Sequence, residues 1–243
     1  MNIIKLDATA STNTYLKDLL STTDLINFTV VSTENQYAGK GQRGAVWNAE
    51  VGTNLTFSVL VKDCVSTIEE IFCLNIVTAL AVKSAIKKML NVELDIKWPN
   101  DILAVNSKLG GILIENIFKA DGKIVSIVGI GINVNQTVFN SLNKATSLAK
   151  LIGHQLDKDQ LLVGVVEQLI CYCHRLREGE ESQLWEEYLC QLYRKGQPSV
   201  FELPSGKRFM GIIEGVSPYG HLEVRCEDDS LFTFGVKEVK LLY

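Results

Sequence analysis

Four apolar stretches follow one another closely in the middle of the chain: Leu94 to Trp98, Ile102 to Val105, Lys108 to Phe118 and Lys123 to Val134. Short polar segments separate them, and Asp121-Gly122, a strong hairpin signal, joins the last two. Strands connected this tightly are antiparallel neighbours, because a parallel pair needs a crossover of about a dozen residues or more. The stretch therefore argues against alternating strands and helices and for an α+β chain with a mixed, largely antiparallel sheet.

The flanking sequence fits that plan. Residues 2–6, 28–33 and 54–61 read as strands, the last alternating Leu55, Phe57, Val59 and Val61 against Thr56, Ser58 and Leu60. Ser11 to Leu20 reads as a short helix opened by capping side chains. The pair Ser66 and Glu69 has the spacing of a capping box and predicts a long amphipathic helix from there to about Leu90. Helical patterns cover 157–178 and 181–194. Beyond Gly196, turn signals at Pro204-Ser205-Gly206, Pro218-Tyr219-Gly220 and Asp228-Asp229 separate short strands and predict a small β-barrel or sandwich. The expected division is 1–195 and 196–243.

Composition narrows the class. A chain of 243 residues, 47% hydrophobic, is long enough for one large and one small core. The net charge of −4 argues against bulk electrostatic attraction to nucleic acid. Lys83, Lys87 and Lys88 interrupt the longest helical pattern, so no membrane span is expected, and a cytoplasmic location is. The six cysteines contain no Cys-x-x-Cys pair. Cys171 and His174 share a helix face while Cys173 points elsewhere, so no protein-only metal site is expected there.

Residues 39–44, Gly-Lys-Gly-Gln-Arg-Gly, satisfy the dinucleotide-binding spacing G-x-G-x-x-G. That fingerprint requires a helix opening at the loop, and the segment 45–54 is too short and too rich in Gly, Asn, Val and Thr to form one. What remains is a loop whose backbone can approach an anion closely while Lys40 and Arg43 supply charge. Other features accompany it. Lys97-Trp98-Pro99-Asn100-Asp101 ends one strand, Lys108-Leu109-Gly110-Gly111 opens the next, and Gly129 and Gly131 sit inside a strand, where glycine marks close backbone approach.

With these stretches in hand, the chain resembles the biotin protein ligases. The resemblance is carried by Ser11-Thr12-Asn13, Gln36 with the loop from Gly39 to Trp47, GTNLTFS at 52–58, the Lys97 to Asp101 segment, KLGGILIE at 108–115 and GIGINV at 129–134. It implies a catalytic domain related to class II aminoacyl-tRNA synthetases and a C-terminal SH3-like barrel. It also implies a two-step reaction: ATP and biotin form biotinyl-5′-AMP, with Mg²⁺, and a lysine of a biotin carboxyl carrier protein domain then takes the biotinyl group. By resemblance Lys108 reaches both the biotin carboxylate and the α-phosphate, and Lys40 and Arg43 neutralise phosphate oxygens. Ser11, Thr12, Asn13, Gln36, Gly39, Gly41, Gln42, Gly110 and Gly111 complete the implied biotin site. Trp47, Lys97, Asn100 and Asn133 complete the ATP site, with Asn133 holding the triphosphate or its Mg²⁺.

The glycines further predict that residues 36–47 form a lid over the adenylate. Gln42 and Ala45 stand where the family commonly has arginine, which replaces a planar, bidentate cation at 42 by a neutral amide. A lipoate ligase or octanoyl transferase is the nearest alternative. It would show an Arg-Arg-x-x-Gly-Gly segment and a histidine near the site, whereas His154, His174 and His221 all lie beyond the motifs. With the first strand starting at Asn2, no DNA-binding role is expected, and the resemblance makes a homodimer an expected state.

Overall fold

In the computed structural model, which describes residues 1–139 and 144–243, the apolar run after residue 93 folds as four consecutive strands. The elements in chain order begin β1 (Ile3–Thr9), α1 (Thr12–Thr22), β2 (Val30–Gln36), β3 (Leu55–Lys62) and α2 (Ile71–Met89). The strand run follows as β4 (Leu94–Lys97), β5 (Asp101–Ala104), β6 (Ser107–Phe118) and β7 (Ile124–Ile132). Then come α3 (Leu148–Ile152), α4 (Lys158–Arg177) and α5 (Glu181–Cys190). The chain ends with β8 (Pro198–Glu202), β9 (Arg208–Val216), β10 (Leu222–Cys226), β11 (Leu231–Phe234) and β12 (Lys240–Leu242).

The first seven strands form one sheet in the order β1-β2-β3-β7-β6-β5-β4. Only β1 and β2 run parallel, so the mixed, mainly antiparallel expectation holds. Gly122 has φ +82 in the β6–β7 turn, a conformation that favours glycine. The central strands are apolar on both faces because both faces are covered. Phe57 and Val59 join the large core with α2 and α4, while Leu60 joins Leu16 of α1 in a second cluster with Val31 and Ile127.

Two helix boundaries differ from the sequence reading, and one helix is added. Helix α2 starts at Ile71, not near Ser66, because the Ser66 N–H is taken by Glu70 Oε2 at 2.7 Å and the intended box never closes. Helix α5 stops at Cys190, short of residue 194. The following residues instead pair with β4, as Ile96 N–H donates to Gln191 O and Tyr193 N–H to Ile96 O. This covers what would otherwise be an open sheet edge. Helix α3 is an addition, capped by Ser147 and ended by Gly153 at φ +83.

Strands β8 to β12 form a separate antiparallel sheet in the order β11-β10-β9-β8-β12. It docks against the region of the seven-stranded sheet through Trp98, which is 8% exposed and donates its Nε1–H to Gly220 O at 2.9 Å. Among the described residues, no helix is long and apolar enough to cross a membrane.

Candidate functional site

A cavity of about 580 Å³ opens between the glycine loop, the 97–113 strand region, β7 and the C-terminal sheet. Five lysines line it, Lys40, Lys97, Lys108, Lys237 and Lys240, against the carboxylates Asp101 and Glu202. An acidic protein thus concentrates positive charge in one concave place, where it attracts an anionic ligand.

One wall is uncharged and rich in hydrogen-bonding groups. Ser11 caps α1, its hydroxyl accepting from Thr14 N–H at 3.4 Å, and this fixes the start of the helix at the cavity. Thr12 N–H donates to Gln36 Oε1 at 2.9 Å, tying α1 to the end of β2. Ser11, Thr12 and Asn13 are 4%, 3% and 3% exposed, so any head group met here is recognised out of bulk water. Asn13 is wholly occupied within the protein, donating to Glu115 Oε2 at 2.7 Å and Leu113 O at 3.3 Å, so its role is to shape this wall.

The cationic centre is built on the β4–β6 turns. Asp101 Oδ1 lies 2.6 Å from Lys108 Nζ and its Oδ2 lies 3.7 Å from Lys97 Nζ. Burial pushes the Lys97 ammonium below the usual lysine range; Asp101 opposes that shift, and Lys108 and Lys144 add to it. Asn100 donates to Ile112 O at 2.5 Å and ties the β4–β5 turn to strand β6.

The glycine loop is a miniature hairpin, not the mouth of a helix. Lys40 and Val46 form a bridge, Trp47 N–H donates to Gly39 O at 3.0 Å, and Gln42–Gly44 make one 3₁₀ turn. Gly44 has φ +81, which a glycine accepts without strain. The loop lays Trp47 across β7, where the ring occupies the space a Cβ at Gly131 would fill, 2.5 Å away, with Lys108 Nζ 5.8 Å from the ring centroid. Gln42 Oε1 and Trp47 Nε1 are buried with no hydrogen-bond partner. A buried unmade bond costs on the order of 1–3 kcal/mol. Both atoms are therefore suited to meet polar groups of a ligand.

Of the residues the sequence marked, Ser11, Thr12, Asn13, Gln36, Lys40, Gly41, Gln42, Trp47, Lys97, Asn100, Lys108 and Gly111 line this cavity. Four do not. Arg43 is exposed, with φ +48, and offers its carbonyl to Lys237 Nζ, because the 3₁₀ turn carries it to the outside of the loop. Asn133 is 5% exposed, donates to Thr146 O at 3.0 Å and lies behind the cavity lining. Gly39 and Gly110 allow close packing: a Cβ would lie 2.3 Å from Trp47 O at the first and 2.8 Å from Gly131 O at the second. The sequence reading also passed over Asp101, Ser58, Glu115 and Lys237. The first three lie inside quoted motifs, and Asp101 is four residues from Lys97; Lys237 carried no local signal because it arrives from the far end of the chain.

A family model described as the Biotin/lipoate A/B protein ligase family matches residues 6–135. The chain belongs to that family. It is 32% identical over 171 residues to the bifunctional ligase/repressor BirA of Bacillus subtilis, a match covering 66% of this chain and 51% of that protein. The chain thus spans about half the length of the first curated relatives it matches. It is 29% identical over 224 residues to the biotin–[acetyl-CoA-carboxylase] ligase of Mycobacterium tuberculosis, covering 90% of this chain and 82% of the relative. The biotin protein ligase from Aquifex aeolicus in complex with biotin and ATP shares the fold, with a TM-score of 0.80 at 24% identity over 99% of this chain and 98% of that one.

Proposed function

We propose that the chain is an ATP-dependent biotin protein ligase. In the first step the biotin carboxylate attacks the α-phosphate of ATP, giving biotinyl-5′-AMP and pyrophosphate. In the second, a lysine amine of a biotin carboxyl carrier protein domain attacks the mixed anhydride, forming the biotinyl amide and releasing AMP. The observation that carries this reading is the pairing, in one cavity, of an uncharged hydrogen-bonding wall with a cluster of lysines. The named activities of the M. tuberculosis and A. aeolicus relatives support it.

The chemistry brings two anions together, so catalysis rests on positioning and on charge placed in advance. Lys108 is held by Asp101 with its ammonium at the cavity, and it stabilises the charge developing between carboxylate and phosphate. Lys97 and Lys40 neutralise phosphate oxygens, and the Trp47 ring borders the nucleotide. Ser11, Thr12 and Gln36 hold the ureido head group. Among the described residues, no group of three His, Cys, Asp or Glu could hold a metal ion, and Asp101 is engaged by two lysines. In this reading Mg²⁺ enters the cavity as a partner of ATP.

The division into a catalytic part, 1–195, and a C-terminal part, 196–243, belongs to this reading, as does the likeness of the first to class II aminoacyl-tRNA synthetases. An SH3-like character for the second is supported by its five short strands and by ring contacts across them: Phe209 lies 5.4 Å from Phe201 and 5.8 Å from Phe234, between centroids. The deciding experiment is ATP–pyrophosphate exchange driven by biotin or by lipoate. Exchange with biotin is expected; exchange with lipoate alone would overturn the proposal.

A further inference from the structure

Behind the polar wall stands a second row of side chains to which the reaction above gives no part. Ser58 of β3 is fully buried, and its hydroxyl oxygen lies 2.7 Å from Thr12 Oγ1 and 2.6 Å from Asn13 Oδ1. The direction of each bond follows from counting hydrogens. Asn13 Nδ2 faces only acceptors, Glu115 Oε2 at 2.7 Å and Leu113 O at 3.3 Å, which fixes the orientation of that amide. Its Oδ1 is then an acceptor, and Ser58 must give it its one hydroxyl hydrogen. Thr12 Oγ1 can bond to Ser58 only as a donor. One hydrogen serves that 2.7 Å contact ahead of the 3.2 Å contact to Gln36 Oε1, which Thr12 N–H already satisfies at 2.9 Å. Gly129 makes room for the arrangement, since a Cβ there would lie 2.4 Å from Asn13 Oδ1.

We propose that Ser58 and Glu115 are positioning residues that, through Asn13, commit the Thr12 hydroxyl hydrogen inward, so that Thr12 meets the ligand as an acceptor and selects a head group that donates an N–H. The inference rests on the biotin reading, in which a ureido N–H is that donor. It adds a reason for specificity: a dithiolane ring has no N–H to offer, and a committed acceptor facing it would stay unpaired.

The test measures biotin binding by calorimetry for the unmodified chain, Ser58→Ala, Glu115→Leu and Glu115→Gln, with the KM for ATP and thermal unfolding followed in parallel. Biotin affinity is expected to fall roughly tenfold in Ser58→Ala and Glu115→Leu, the loss typical of a buried hydrogen bond, with the KM for ATP changed less than about twofold. Glu115→Gln keeps an acceptor for Asn13 and should restore most of the affinity lost in Glu115→Leu. Biotin methylated on either ureido nitrogen supplies the second measurement. The penalty for the methyl group on the nitrogen that faces Thr12 should be large in the unmodified chain and smaller in Ser58→Ala, where Thr12 is free to turn. If Ser58→Ala does not fold, the same comparison in the two Glu115 variants decides. Equal losses for biotin and ATP, no rescue by glutamine, or an unchanged methylation penalty would overturn the relay. Absence of biotin binding by the unmodified chain would instead overturn the functional reading on which the relay rests.

Discussion

Asp101 holds two ammonium groups that would otherwise repel each other in a half-buried place. Its contact with Lys97 spans four residues and could be foreseen, but its contact with Lys108 depends on the β5–β6 register, in which a bulge sets Lys108 opposite Leu103. Two predictions belong at this scale. Lys97 has its charged form disfavoured by burial, so it loses its proton at lower pH than an exposed lysine. Anion binding needs the charged form, and kcat/KM for ATP should therefore fall on the alkaline side at a pH below the ordinary lysine range. Asp101→Asn removes the group that raises the Lys97 pKa and should move that limb to still lower pH, while Lys97→Arg should abolish it. The sign for stability is the opposite: protonated Lys97 destabilises the fold, and this effect is relieved as pH rises through its folded value. The second prediction is that Lys108→Ala abolishes biotin-dependent pyrophosphate exchange while Gln42→Ala lowers it less. The reverse order would contradict the roles assigned to these two residues.

Strand β7 shows how an element carries the site without contributing a reactive group. Its glycines were legible in the sequence as places of close approach, yet nothing local said what approaches. Tertiary packing brings Asn13 of α1 to Gly129 and Trp47 of the loop to Gly131. Adding one methyl group therefore has separable consequences. Gly131→Ala should displace the Trp47 ring and raise the KM for ATP more than the Kd for biotin; Gly129→Ala should do the reverse. Each should also destabilise by about 1–3 kcal/mol, the usual cost of overpacking, as read by chemical denaturation. Equal effects of both substitutions on the two ligands would show that β7 does not separate the two ends of the cavity.

At the scale of the molecule, the C-terminal sheet reaches the glycine loop directly. Lys237 Nζ donates to Arg43 O, Lys237 and Lys240 line the cavity, and Trp98 anchors the junction on Gly220. If residues 36–47 act as a lid over the adenylate, biotin with ATP should slow proteolytic cleavage there, and Lys237→Ala should speed cleavage of the free protein. Cleavage unaffected by ligand would remove the lid from the mechanism. Trp98→Phe leaves Gly220 O without its donor and should cost about 1 kcal/mol, seen as a lowered Tm.

Local chemistry alone settles much of this protein. Turn residues and strand spacing determine antiparallel neighbours, because hairpin geometry is local; the same reasoning denied the glycine loop a helix and marked Lys97 and Lys108. Local reading failed where a side chain's role depends on what the fold sets against it. Arg43 and Asn133 carry suitable chemistry, but only the fold shows that a 3₁₀ turn sets the first outside the cavity lining and that the second donates to a backbone carbonyl behind it. Ser58 and Glu115 look like ordinary strand residues until the packing of β3 and β6 on α1 joins them through Asn13. Residue types and spacing thus determined the class of chemistry, whereas contacts between residues far apart in the chain decided which groups face the cavity and which hold them there.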